Sequence, residues 1–191
     1  MDTLKLYIVL LGCKPEGRNT EQHDLFFGIA PSLASLKQNM LQFWPEAKGR
    51  LHIDAWREVN HVEGFRVEVV ARGQTDAAQN GKLFFINLGG YKRDEFEEFH
   101  YKLLTVAPSK GIAIQAAKRT AFYKHTGFTG ATSHIDDKYG VDVDDIYEIE
   151  DILSEEMKQR YSIRLHPDTN PQEDEIHLGY LKMEKLINEE S

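Results

Sequence analysis

The segment EQHDLFFGIAPS at residues 21–32 returns as EFHYKLLTVAPS at residues 98–109, in register and without a gap. The same offset of 77 pairs Lys5 with Lys82, Gly12 with Gly89, Glu21 with Glu98, His23 with His100, and Ala30-Pro31-Ser32 with Ala107-Pro108-Ser109. From Lys5 to Gln38, ten of 34 positions are identical, against roughly two for unrelated sequence, which is the signature of an internal repeat. The tripeptide HID, at His52, recurs at His134 with an offset of 82, and beyond Asp136 the copies diverge.

Copy one therefore supplies the template. Leu4 to Leu11 is a run of β-branched, aromatic and leucine side chains, the pattern of a strand buried on both faces. Gly12, Pro15 and Gly17 predict a loop, and DLFFGIA a second strand. In PSLASLKQNMLQFWP, Leu33, Leu36, Met40 and Phe43 or Trp44 fall at helical spacing, with Ser32 as N-cap and Pro45 as the stop. RLHIDAWREV alternates, setting Leu51, Ile53 and Ala55 on one face and His52, Asp54 and Trp56 on the other. GFRVEVV adds a fourth strand.

The expectation is an α+β protein of two tandem ββαββ repeats, related by internal duplication and packed as a compact pseudo-twofold unit. Its domains are residues 1–71, a polar linker over 72–81, and 82–191. The second copy carries an acidic insertion, Asp142 to Glu156, read as a short helix, and ends in a hairpin of YSIRL and EIHLGYL. The terminal NEES is expected to fray. One helix leaves apolar sheet surface uncovered in each repeat, to be buried by the other copy or by a second chain as a homo-oligomer.

Composition excludes several classes. With 41% hydrophobic and 28% charged residues over 191 positions, the chain is expected to be globular. A net charge of −8 without a basic run argues against nucleic acid. No apolar run reaches the ~18 residues of a membrane span, and the lone Cys13 fits a reducing, cytoplasmic compartment. LYIVLLGC is similar to a lipoprotein signal, but MDTLK nets no positive charge and the run returns mid-chain as KLFFINLG, so both are read as strands.

The combination of GRNTEQHD, FWPEAKG and HIDAWREV in copy one resembles a bacterial family known as a domain of unknown function, number 1543, which occurs in one or two copies. The resemblance implies bacterial origin and a duplicated domain, and it implies no activity, substrate, cofactor or catalytic residue.

The residues with chemistry to offer are Glu21, His23, His52 and Asp54, with Glu98, His100, His134 and Asp136 as their repeats. An imidazole two residues from a carboxylate on one strand face is suited to metal ligation or acid–base work. The same residues also read as hydrogen-bonded pins beside loops, needed twice because the fold is built twice. No H-E-x-x-H spacing marks a metal, so neither metal nor cofactor is assigned from sequence. Arg18 and Asp24, private to copy one, mark the loop GCKPEGRNTEQHD as a binding surface. Cys13 beside Lys14 lacks a partner thiol. LHPDTNP is similar to the His-Pro-Asp loop of J-domain co-chaperones, but Tyr147 to His166 spans only 19 positions, too few for the helices that motif requires. DVDDIYEIEDIL lacks the glycine of an EF-hand loop.

The leading functional expectation is a non-catalytic module that binds a small molecule or a protein. The alternative is an enzyme, a metal-assisted hydrolase built on the repeated histidines and aspartates.

Overall fold

A computed structural model of the chain describes residues 3–74, 79–91, 94, 96–125, 142–170 and 172–186. The chain is mixed α and β, and it divides into two compact units, residues 1–76 with 153–191, and residues 77–152.

In the first unit, β1 (Lys5–Cys13) pairs antiparallel with β2 (Gln22–Ala30). A 3-10 turn, Ala34–Leu36, leads into α1 (Lys37–Phe43), and Pro45 opens a second 3-10 turn to Ala47. Ser32 Oγ accepts from the Ser35 amide at 3.3 Å, but Ser32 is not the N-cap expected from sequence: the 3-10 turn is capped at Leu33 and α1 at Leu36, neither by a side-chain bond. β3 (His52–Glu58) then returns along the other side of β1. Val9, Leu11, Cys13 and Ile53 are fully buried on the sheet face that α1 covers. Gly28 lies against Leu36 there, where a Cβ would stand 2.8 Å from Leu36 Cδ2.

The alternation of β3 breaks at Asp54. Leu10 pairs with Ala55 and Leu11 with Ile53, so Asp54 is the extra residue of a β-bulge. Trp56 is thereby turned to the face of Tyr7, 6.2 Å between ring centroids, and Ala55 to the opposite one. A period of two across this segment misassigns both.

β4 (His61–Val62), β5 (Phe65–Ala71) and β9 (Tyr161–Pro167) form a separate three-stranded sheet in the order β4-β5-β9. β10 (His177–Lys182) joins β3 instead, completing the order β10-β3-β1-β2. These pairings correct three sequence expectations. GFRVEVV does not close the sheet of β1, YSIRL and EIHLGYL do not form a hairpin with each other, and both belong to the first unit rather than to a second domain running from 82 to 191. Strand patterning records which face is apolar and is silent on the partner.

In the second unit, β6 (Lys82–Tyr91) pairs with β7 (Glu98–Ala107) and with β8 (Asp142–Glu148), in the order β7-β6-β8. α2 (Lys110–His125) packs Ala113 and Ala117 against Phe84, Ile86 and Leu88. The acidic segment expected to be helical is thus a strand over its first half, followed by the single turn α3 (Ile149–Ile152). The register skips Asp144, which puts Val143 and Ile146 on one face opposite Leu88 and Ile86, where they pack onto the core, and leaves Asp145 on the other face. Back in the first unit, α4 (Glu155–Arg160) is capped by Ser154 Oγ on the Met157 amide at 3.4 Å. The terminal NEES lies outside the described residues.

Candidate functional site

Gly12 lies near the end of β1, paired with His23 of β2 on one side and His52 of β3 on the other. Register partners share a face, so the two imidazoles flank a residue that has no side chain. The bulge swings Asp54 onto the same face, and Glu21, just before β2, completes the group. Four contacts close a ring. His52 Nε2 is 3.0 Å from Glu21 Oε1 and 3.4 Å from Asp54 Oδ2, while His23 Nε2 is 3.2 Å from Asp54 Oδ2 and 3.8 Å from Glu21 Oε2.

Gly12 makes room for this ring. A Cβ there would stand 2.3 Å from His52 Nε2 and 2.4 Å from Asp54 Oδ2. His52 is 6% exposed. Its Nε2 and Asp54 Oδ2 are both buried without a hydrogen bond, because the nearby atoms approach within range but out of alignment. An unpaired buried polar atom costs about 1–3 kcal/mol, and two in contact call for a partner that accepts this geometry.

β10 supplies the back of the site. It places Gly179 and Tyr180 opposite the Asp54 bulge, between the pairs Leu178–Ala55 and Leu181–Ile53. Gly179 has φ 126°, a region that side-chain-bearing residues avoid. The Tyr180 ring then lies over His52, 4.4 Å between centroids, and His177 stacks on Trp56 at 3.8 Å. The approach to β10 is fixed by Asp174, whose buried carboxylate accepts from the Asn60 and His61 amides at 3.1 Å each. Burial pushes the Asp174 carboxyl above its ordinary value, and the amides and Arg57 offset only part of that rise.

The second unit repeats the plan. Gly89 pairs with His100 of β7 and with Asp142 of β8, and the register skips Asp144 as it skips Asp54. A Cβ on Gly89 would meet Asp144 Oδ2 at 2.5 Å and Glu98 Oε1 at 2.9 Å. His100 Nε2 is 3.4 Å from Asp144 Oδ2, and donor atoms of Glu98, His100 and Asp144 all lie within 4.8 Å of one another. Lys5–Glu58 at 2.7 Å and Lys82–Glu148 at 2.8 Å are a further matching pair. These correspondences put Asp144 where the repeat of HID pointed to Asp136, and Asp142 where it pointed to His134. Both His134 and Asp136 lie outside the described residues. Sequence identity was too thin there to align the copies, and the bulge leaves no mark in residue pattern.

Arg18 and Asp24 are not brought into the ring. Arg18 is on the exposed loop, and Asp24, paired with Leu11 on the other face of β2, accepts from the Leu25 amide at 2.7 Å. Cys13 is buried, and burial pushes its thiol up, the opposite of what a nucleophile needs. LHPDTNP closes β9 and turns on an Asp168 carboxylate that accepts from the Asn170 amide at 2.9 Å.

Residues 18–69 match the model of a family described as a Domain of Unknown Function, DUF1543. The fold is similar to that of a protein Il1583 from Idiomarina loihiensis, known from its crystal structure, at 20% identity and a TM-score of 0.62. That likeness covers 94% of this chain and 98% of the other. No curated protein matches. No helix among the described residues is long and apolar enough to cross a membrane.

Proposed function

We propose that the chain is a divalent-metal-binding protein, with Glu21, His23, His52 and Asp54 as the ligands of one ion in the first unit. The observation that carries this reading is the buried His52 Nε2 and Asp54 Oδ2, without hydrogen bonds, in a ring of imidazole and carboxylate atoms spaced 3.0 to 3.8 Å. Donors bonded at 2.0–2.1 Å in a tetrahedron stand about 3.3 Å apart; the four sides of the ring match this, while no three of its donors lie mutually within 4.8 Å, so an ion would draw the opposite members inward. Two imidazoles and two carboxylates suit Zn2+ and its first-row neighbours, and carboxylates on either side of a pair of imidazoles supply the charge that a cation balances. Two tandem repeats built by duplication explain why the same pairing of glycine, histidine, bulged aspartate and Lys–Glu bridge occurs in both units.

The readout is calorimetric titration of the metal-stripped chain with Zn2+, alongside His52→Ala and His23→Ala. The first-unit site is expected to bind one ion, lost at least ~100-fold in each variant, and saturating Zn2+ should raise the melting temperature through linkage. Absence of heat and of any thermal shift with Zn2+, Co2+, Ni2+ and Mn2+ sinks the reading. A second reading, metal-assisted hydrolysis, draws on the side-chain exposure of His23 at 43% and Glu21 at 45%, which leaves one side of the ion open to water. Phosphoester and peptide turnover by the Zn2+-loaded chain, absent in His52→Ala, is its test.

A further inference from the structure

The geometry points to a second metal site, in the other unit, formed by Glu98, His100 and Asp144 and selective in a different way from the first. It rests on the same metal-binding reading and extends it to residues that the HID repeat did not indicate.

Two features of one cluster carry it. Donor atoms of the three side chains lie within 4.8 Å of one another, a span that an ion with 2.0–2.4 Å bonds bridges. Gly89 is the cradle: Asp144 Oδ2 and Oδ1 and Glu98 Oε1 crowd the position of its missing Cβ at 2.5, 2.9 and 2.9 Å. The carboxylates are turned over the glycine from two different strands, β8 and the start of β7, on either side of β6. Two anionic groups gathered on one spot repel each other unless a cation joins them.

The ligand set differs in kind. The register position of His52 is taken by Asp142 in the second unit, so among the described residues the second site has one imidazole where the first has two. Its three ligands are also exposed, whereas His52 is buried under Tyr180. Oxygen-rich, solvent-open sets favour hard ions such as Mn2+ and bind borderline ions with less advantage. The second site should bind more weakly overall, with a Zn2+ to Mn2+ affinity ratio at least ~10-fold smaller than the first.

The test uses the full chain, stripped of metal, titrated with Zn2+ by calorimetry and with Mn2+ by electron paramagnetic resonance of the free ion. The wild-type chain should take two ions. His100→Ala with Asp144→Asn should remove the weaker Mn2+ equivalent and leave the tighter Zn2+ equivalent. His23→Ala with His52→Ala should do the reverse. Gly89→Ala serves as the second variant, keeping every ligand while filling the cradle, and its melting temperature in chelator reports folding. One equivalent, lost with His52→Ala and untouched by Asp144→Asn and Gly89→Ala, overturns this site and leaves the first standing. One equivalent lost only with the second-unit variants does the opposite, and no binding overturns both.

Discussion

Around Gly12 the first unit gathers two imidazoles and two carboxylates under a tyrosine ring, whereas around Gly89 the second gathers one imidazole and two carboxylates in the open. The backbone devices are the same in both: a glycine in the central strand, a histidine opposite it, and an aspartate thrown onto that face by a bulge. What differs is the strand beyond. β10 flanks β3 and buries His52, while β8 has no neighbour on its outer side among the described residues. The comparison teaches that one backbone plan yields two differently built clusters, through burial and one change of residue.

The comparison breaks most sharply at the glycines. Gly12→Ala is expected to lower Zn2+ affinity of the first site at least ~100-fold and leave Mn2+ binding at the second intact, with Gly89→Ala the mirror image, both read by titration. Removing the β10 anchor is next. Asp174→Ala, which orphans two amides and Arg57, should cost about 2–4 kcal/mol in urea unfolding and weaken Zn2+ binding through Tyr180. Asp142→His puts an imidazole at the register position that His52 holds in the first unit, and the Zn2+ affinity of the second unit should rise about 10-fold without a matching gain for Mn2+.

Smaller effects sharpen the pairing of the scaffolds. Glu58 accepts from Lys5 and also from the buried Tyr7 hydroxyl at 3.2 Å, whereas Glu148 accepts from Lys82 beside Phe84. Glu58→Gln should cost about 1–1.5 kcal/mol and Glu148→Gln about 0.5 kcal/mol, the latter vanishing at high salt. The smallest effect belongs to Glu68, held below its usual carboxyl value by a hydrogen bond from His166 across β5 and β9. A depressed carboxyl stabilises above its unfolded pKa and loses that contribution as pH falls through the folded value. The melting difference between wild type and Glu68→Gln should therefore be present at neutral pH and disappear below about pH 4.

Much of the first unit was legible in sequence because its strands and helix carry strong local patterns. The apolar run of β1, the helical spacing of Leu36 and Met40, and the His52–Asp54 step all survive in three dimensions. The partners of β5, β9 and β10 were not, since alternation encodes a face and not a neighbour. His23, His52 and Asp54 could be picked out as types, but their meeting depends on Gly12 and on a bulge that no residue announces. Asp144 was missed for a related reason: the copies diverge in β8, and its acidic residues read equally well as the face of a helix. Tyr180 and Asp174 lie more than a hundred residues from the histidine they serve, beyond the reach of any local pattern.

The most direct measurement is X-ray absorption at the zinc edge of the chain loaded with one equivalent of Zn2+. Coordination by Glu21, His23, His52 and Asp54 predicts about four nitrogen and oxygen donors at 2.0–2.1 Å, with the multiple scattering of two imidazoles, reduced to one in His52→Ala. A shell of waters alone, or a spectrum unchanged in that variant, would contradict it.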